Sequence, residues 1–162
     1  AYILAPSRLE ALKRQSLLIE AMAEVRAPVT AVIVGDGGDR ARLERLAAAR
    51  GVEARVRFLG AVSHDRLIAL YARASAVFFA PQDEDYGYVT LEAMLASKPV
   101  VTCLDSGGPL EFVQDAVTGS VVAPTASAVA EALERLCSDP GLARRMGEAG
   151  RARYEALGLD WN

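Results

Sequence analysis

Two glutamates separated by seven residues form the part of the sequence best suited to chemistry. Glu84 follows an apolar run in a loop, and Glu92 lies in the first turns of the helix that comes next. Carboxylates accept hydrogen bonds from neighbouring hydroxyl groups such as those of ribose and of hexoses. Gly87 lies between them, where the loop tightens into the helix, and a residue without a Cβ lets a ligand approach the backbone.

The start of this helix adds a second kind of binding group. The backbone N–H groups at the start of this helix, those of Gly87, Tyr88 and Val89, can hold phosphate oxygens, as helix N-termini commonly do. Carboxylates beside a phosphate would repel it unless cations lie close by. Arg8 can grip a phosphate as a fork, and Lys13 can act as a point charge. A phosphate flanked by hydroxyl-rich groups describes a nucleotide-sugar.

Short apolar runs alternate with longer helical patterns along the chain. Strands too uniformly apolar to have a solvated face predict an α/β fold of one domain, with a Rossmann-like parallel sheet and helices on both faces. Ligands bind such sheets at the carboxyl ends of the strands, where the residues above are expected to lie. The predicted strands are 1–5, 29–34, 56–59, 76–80, 99–104 and 120–122, and the predicted helices are 12–25, 40–50, 63–74, 88–96, 126–137 and 141–156.

Composition narrows the function classes. A hydrophobic share of 52% predicts a packed core, and a net charge of −3 provides no general attraction for nucleic acid. Apolar runs never approach the ~20 residues that a membrane span needs. Cys103 and Cys137 lie far apart in apolar stretches, which favours free core thiols in a reducing, cytoplasmic setting. The chain opens in an apolar run without Met or leader, and we therefore expect a fragment.

Short motifs occur in one order from the first strand to the late helices. They are Ser7-Arg8 through Lys13-Arg14, Gly35-Asp36-Gly37, Phe58-Leu59-Gly60, Glu84 through Glu92 followed by Ala-Met-Leu, Gly107-Gly108-Pro109-Leu110-Glu111, and Thr118-Gly119. In this order the chain resembles the C-terminal, donor-binding domain of the retaining "group 1" glycosyltransferases of GT-B fold. The corresponding family elements are G-R-x-x-x-x-K-G, G-D-G, F-L-G, E-x7-E, G-G-x-x-E and T-G.

The resemblance implies roles for the charged residues. Arg8 and Lys13 would bind the diphosphate of the donor and stabilise the charge that develops on the leaving group. Glu84 would bind hydroxyls of the donor sugar, and these three residues are the catalytic candidates. Glu92 would bind the ribose hydroxyls.

The resemblance also implies how the rest of the donor is held. The start of the helix at Gly87, Tyr88 and Val89 would hold the phosphates, and the backbone near Ala61 and Val62 would contact the base. The reaction would transfer a sugar from a UDP-, GDP- or ADP-sugar with retained anomeric configuration, with no metal and no cofactor. The acceptor site, and any membrane association, would belong to an N-terminal domain absent from this chain. The fragment alone is therefore expected to be inactive.

The sequence departs from the family pattern at several positions. Ser7 and Arg14 replace the glycines that flank the cationic motif, and Ser97 replaces another glycine that is common in the family. Tyr86 stands for Phe, and Asp85 adds a further negative charge to an acidic loop. The extra charge bears on the identity of the donor sugar more than on the fold.

Other interpretations of the same residues remain. Asp83-Glu84-Asp85 has the spacing of a D-x-D metal motif, but its place before Gly87 and Glu92 argues against a metal site. A dinucleotide fingerprint at Gly35 would need a glycine where Arg40 stands. A receiver-like signalling module would need an acidic pair at Ser7-Arg8. A nucleotide-sugar sensor without catalysis, or a GT-B epimerase, would carry much the same binding residues.

Overall fold

A parallel sheet forms the centre of the computed structural model, which describes residues 1–84 and 87–159. Its strands are β1 Tyr2–Pro6, β2 Thr30–Val34, β3 Val56–Gly60, β4 Ala76–Phe78, β5 Val100–Cys103 and β6 Gly119–Val122. The spatial order is β3-β2-β1-β4-β5-β6, and each neighbouring pair is parallel. The direction of strand succession reverses between β1 and β4, which is where sheets of this kind bind ligands.

Helices cover both faces of this sheet. Alternate residues of each strand point to opposite faces, so neighbours such as Ile3 and Leu4 enter separate apolar clusters. The first cluster packs under α1, α2, α5 and α6, and the second packs under α3 and α4. The predicted Rossmann-like α/β fold is therefore confirmed. The helices are α1 Gln15–Met22, α2 Arg40–Ala49, α3 His64–Arg73, α4 Tyr88–Leu95, α5 Ala126–Ser138 and α6 Pro140–Ala156, with 3-10 turns at Ala11–Lys13, Glu53–Arg55 and Gly108–Glu111.

The predicted helix over 12–25 is wrong at its start. Residues Ala11–Lys13 form a separate 3-10 turn, and Arg14 has left-handed backbone angles, φ 53° and ψ 39°. A residue with these angles cannot lie inside a right-handed helix, so α1 begins only at Gln15. The helix also ends at Met22, short of the predicted residue 25. The other predicted boundaries differ from the observed ones by no more than two residues.

Several local predictions are confirmed. The Ser63 hydroxyl accepts a hydrogen bond from the Arg66 amide at 3.2 Å and caps α3, and His64 follows as an exposed first helical residue. Cys103 and Cys137 are free thiols. Burial raises the pKa of both, that of Cys103 to about 11, so neither is a reactive thiolate. Within the described residues, no helix combines the length and apolarity needed to cross a bilayer.

Candidate functional site

The loops that follow β1 and β4 meet at the carboxyl edge of the sheet. Lys13, from the first loop, donates a hydrogen bond from its ammonium group to the carboxylate of Glu84, from the second. The two side chains are 22% and 24% exposed, so this ion pair is shielded on most sides but open to a ligand. The Lys13 nitrogen also lies 6.0 Å from the centre of the Phe79 ring.

This ion pair lines a pocket of about 200 Å³, here called the cationic pocket. The start of α4, at Tyr88 and Val89, forms another of its walls, so a helix N-terminus, a lysine and a carboxylate border one small volume. Arg8 lies at the rim, with 76% of its side chain exposed, and its Nε donates to Glu10 at 2.7 Å. The lining residues are Ser7, Arg8, Lys13, Phe79, Glu84, Tyr88 and Val89.

A second pocket of about 320 Å³, here called the apolar pocket, lies directly beside the first. Ser7 and Val89 line both, so they form the boundary between the two. Glu92 and Val62, to which the resemblance assigns the ribose and the base, both lie in its wall. The remaining lining residues are Pro6, Val34, Gly35, Ala61, Leu67 and Tyr71.

Two polar groups in the apolar pocket lie in an environment that disfavours their charge. Burial raises the pKa of the Glu92 carboxyl, and the nearby charge of His64 opposes this shift. The Tyr71 hydroxyl is buried and has no hydrogen-bond partner in the described part of the chain. Burial and then the negative charge of Glu92 raise the pKa of Tyr71. A pocket with unused hydrogen-bonding capacity among apolar walls suits a ligand that is part ring and part polyol.

The structure gives Gly87 a different purpose from the one expected. A Cβ at this residue would lie 3.1 Å from the side chains of Pro109 and Thr90. The missing side chain therefore allows the start of α4 to pack against the Gly108–Glu111 turn, and it does not face either pocket. Asp85 and Tyr86, which carry the predicted extra charge and the Phe replacement, lie outside the described residues.

Sequence reasoning missed Gln15, Phe79 and Tyr71. Gln15 is 2% exposed, and its side-chain amide donates to the Ser7 hydroxyl at 2.7 Å and to the Arg8 carbonyl at 2.8 Å, which fixes the loop that carries Arg8. The position of Phe79 directly after β4 could have been noticed, since strand ends supply ligand contacts in such sheets. Tyr71 has the sequence pattern of an ordinary core aromatic.

With this fold and this pair of pockets, the chain belongs to the family described as glycosyl transferases group 1, whose model matches residues 1–153. Among curated relatives, it is 32% identical to human alpha-1,3/1,6-mannosyltransferase ALG2, over 94% of the chain and 40% of that protein. It is 36% identical to alpha-D-kanosaminyltransferase of Streptomyces kanamyceticus, over 90% of the chain and 39% of that protein. The chain thus spans about 40% of the length of these relatives.

Solved structures agree with this assignment. Sucrose-phosphate synthase of Thermosynechococcus elongatus superposes with a TM-score of 0.90 and 32% identity, over 96% of the chain and 41% of that protein. Anabaena HepE in complex with UDP and glucose gives a TM-score of 0.88 and 30% identity, over 96% of the chain and 43% of that protein. The resemblance inferred from the order of the motifs is confirmed.

Proposed function

We propose that residues 1–162 form the nucleotide-sugar-binding C-terminal domain of a glycosyltransferase, and that an N-terminal domain outside this chain supplies the acceptor site. One observation carries the proposal: a pocket with Lys13 and Glu84 adjoins a pocket with Glu92, across a boundary of only two residues. Coverage of about 40% of the relatives' length supports the division into domains. The free cysteines support a reducing, cytoplasmic location.

In this proposal each part of the donor has its own place. The base and ribose occupy the apolar pocket, where Val62 contacts the base and Glu92 accepts hydrogen bonds from the ribose hydroxyls. The diphosphate lies at the boundary, beside the amides of Tyr88 and Val89 at the start of α4. The UDP held by Anabaena HepE supports a nucleoside diphosphate ligand of this kind.

The cationic pocket would carry the chemistry. When the bond between the anomeric carbon and the diphosphate oxygen breaks, its electron pair stays on the diphosphate. Lys13, together with Arg8 moving in from the rim, stabilises that charge. The acceptor oxygen forms the new bond on the same face of the sugar, and its proton passes to the departing diphosphate oxygen, so the anomeric configuration is retained. Glu84 holds the sugar hydroxyls, and the cationic pair takes the place of a metal ion.

Binding by the chain itself tests the donor site. Calorimetry with UDP, GDP and ADP is expected to show weak binding of at least one of them, and no turnover of the matching sugar donors. A failure of all three to bind at millimolar concentration would overturn the proposal. Glu92→Gln is the matched variant and is expected to bind more weakly than the parent chain. It keeps the shape of the side chain and removes the carboxylate that would accept hydrogen bonds from the ribose.

The catalytic details need the full-length enzyme. Transfer is expected to continue in the presence of EDTA, and the glycosidic bond of the product is expected to have the anomeric configuration of the donor, as read from the one-bond coupling between the anomeric carbon and its proton. Loss of activity with EDTA that added Mg²⁺ or Mn²⁺ restores would contradict metal independence. An inverted product would contradict retention.

A further inference from the structure

Arg14 has a backbone conformation that residues with a side chain rarely adopt. Its φ of 53° and ψ of 39° lie in the left-handed region, where the family pattern has glycine. For a residue with a Cβ this conformation is strained, because the Cβ comes too close to the following carbonyl oxygen. A large side chain at such a position indicates that its interactions offset the strain of the backbone.

The Arg14 side chain joins the β1–α1 loop to two other loops. Its guanidinium forms a fork with Asp105, at 2.6 and 2.9 Å, and the pKa of that carboxyl is lowered by these bonds. It also donates to the carbonyls of Ala80 at 2.8 Å and Pro81 at 3.2 Å. The side chain is only 16% exposed, so these bonds are shielded from water.

The loop that carries Glu84 is therefore held from two directions. Arg14 grips it at its beginning, through the carbonyls of residues 80 and 81. Further along, the loop is held by backbone hydrogen bonds to the segment that contains Asp105, the partner of Arg14. The Asp83 amide donates to the Asp105 carbonyl at 3.1 Å, and the Glu84 amide donates to the Ser106 carbonyl at 3.0 Å. The Glu84 carboxylate then meets Lys13, the residue before Arg14, which closes a ring of contacts.

We propose that Arg14, acting through Asp105 and the carbonyls of residues 80 and 81, is a positioning residue that fixes the Glu84 carboxylate against Lys13. As a role in donor recognition, this rests on the function proposed above. Arg14 itself does not line either pocket, so it acts only through the placement of its neighbours. A glycine at this position would adopt the turn but remove the side-chain bonds to Asp105 and to the carbonyls of residues 80 and 81.

The sequence provides a direct readout, because Lys13 and Lys98 are its only lysines. The ammonium signals of the ¹⁵N-labelled chain can be recorded at low temperature and assigned with Lys13→Ala. In Arg14→Gly, the Lys13 signal is expected to move to the position it takes in Glu84→Gln, while the Lys98 signal stays in place. Asp105→Asn keeps the shape of the side chain and removes the negative charge that faces Arg14. It is expected to move the Lys13 signal in the same direction.

Two matched variants separate positioning from general stability. Ser97→Gly relaxes another left-handed residue, with φ 59°, away from both pockets. Arg151→Ala removes an arginine that likewise bonds a carboxylate and a carbonyl, those of Glu155 and Leu95. Neither is expected to move the Lys13 signal. A Lys13 signal that stays at its parent position in a folded Arg14→Gly chain would overturn the proposal.

Binding supplies the second readout. Affinities for UDP-glucose and GDP-mannose can be compared with those for UDP and GDP. Arg14→Gly is expected to weaken binding of the sugar-bearing ligand about tenfold more than binding of its diphosphate, because Glu84 contacts only the sugar. Equal losses for both ligands would overturn the role in donor recognition. If the parent chain binds neither these four ligands nor ADP, the proposed function fails, and the lysine signals still decide whether Arg14 positions Glu84.

Discussion

Each of the two edges of the sheet has a residue other than glycine with left-handed backbone angles, and the two residues have different structural roles. At the carboxyl edge, left-handed Arg14 reaches across to two neighbouring loops. At the amino edge, left-handed Ser97 turns the chain from α4 toward β5, and Gly147 packs directly on its carbonyl. One strained residue thus organises several loops, whereas the other only closes a turn.

The two left-handed residues differ in the contacts that surround them. The carboxyl edge carries the Lys13–Glu84 pair and the Arg14–Asp105 fork, each joining residues far apart in sequence. The turn at the amino edge is shaped mainly by short-range backbone bonds, from Ser97 to Met94 and from Lys98 to Ala93. We expect substitutions at the first edge to alter both stability and binding, and those at the second to alter stability alone.

The largest difference between the edges is expected for alanine in place of glycine. At the carboxyl edge Gly107 has φ 77°, and a Cβ there would lie 2.7 Å from the Glu84 carbonyl oxygen. Gly107→Ala should lower the free energy of unfolding by about 3 kcal/mol, from strain and collision together. Gly51→Ala, at φ 71° with open space around it, should lose only about 1 kcal/mol. Urea denaturation measures the free energy of unfolding of both variants. Equal losses would contradict the predicted collision between a Cβ at residue 107 and the Glu84 carbonyl oxygen.

The two lysines sharpen the comparison for binding. Lys13→Ala should weaken binding of a nucleotide-sugar such as UDP-glucose by about 2 kcal/mol, roughly thirtyfold, because it removes the charged donor that the diphosphate gains when the sugar hydroxyls engage Glu84. Lys98→Ala removes the lysine that precedes β5 at the amino edge and should leave the affinity unchanged. Calorimetry on the two variants is the measurement. An effect of Lys98→Ala as large as that of Lys13→Ala would place the ligand elsewhere.

Two glutamates should contribute with opposite sign to the stability of the fold at neutral pH. Burial raises the pKa of Glu92, so its ionised form costs stability at neutral pH, and this cost disappears as pH falls through the raised pKa. Backbone amides of Ala27 and Arg26 lower the pKa of Glu134, so its contribution is present at neutral pH and disappears as pH falls through the lowered pKa. Thermal unfolding at neutral pH should therefore show Glu92→Gln stabilised and Glu134→Gln destabilised. Both differences should shrink on acidification, and a destabilised Glu92→Gln would contradict the first assignment.

The smallest effect is expected at Ser97. Ser97→Gly should raise the free energy of unfolding by about 0.5 kcal/mol, since the relief of left-handed strain is partly offset by the greater freedom of glycine in the unfolded chain. Chemical denaturation of the variant beside the parent chain is sufficient. A loss of stability would mean that the serine side chain contributes more to the turn than its backbone costs.

The sequence predicts the layers of the fold well, because uniformly apolar strands and amphipathic helices leave clear patterns. The predicted start of α1 is wrong, because arginine has a high helix propensity and its residue type alone does not indicate a positive φ. Lys13, Glu84 and Glu92 were singled out because they belong to motifs that occur in one order along the chain, and the structure places them in two adjoining pockets. The fork between Arg14 and Asp105 was missed, because the two residues are far apart in sequence and come together only through the strand order.

The Lys13–Glu84 pair has a consequence for which anions the cationic pocket accepts. Without a ligand, the ammonium group already has a carboxylate counterion from its own chain. A lone phosphate must compete with that carboxylate and gains little by replacing one anion with another. In the proposed donor complex, the sugar hydroxyls engage Glu84 while the diphosphate engages Lys13, so both halves of the pair exchange partners together. Such a pocket discriminates against abundant free phosphate without a barrier at its entrance.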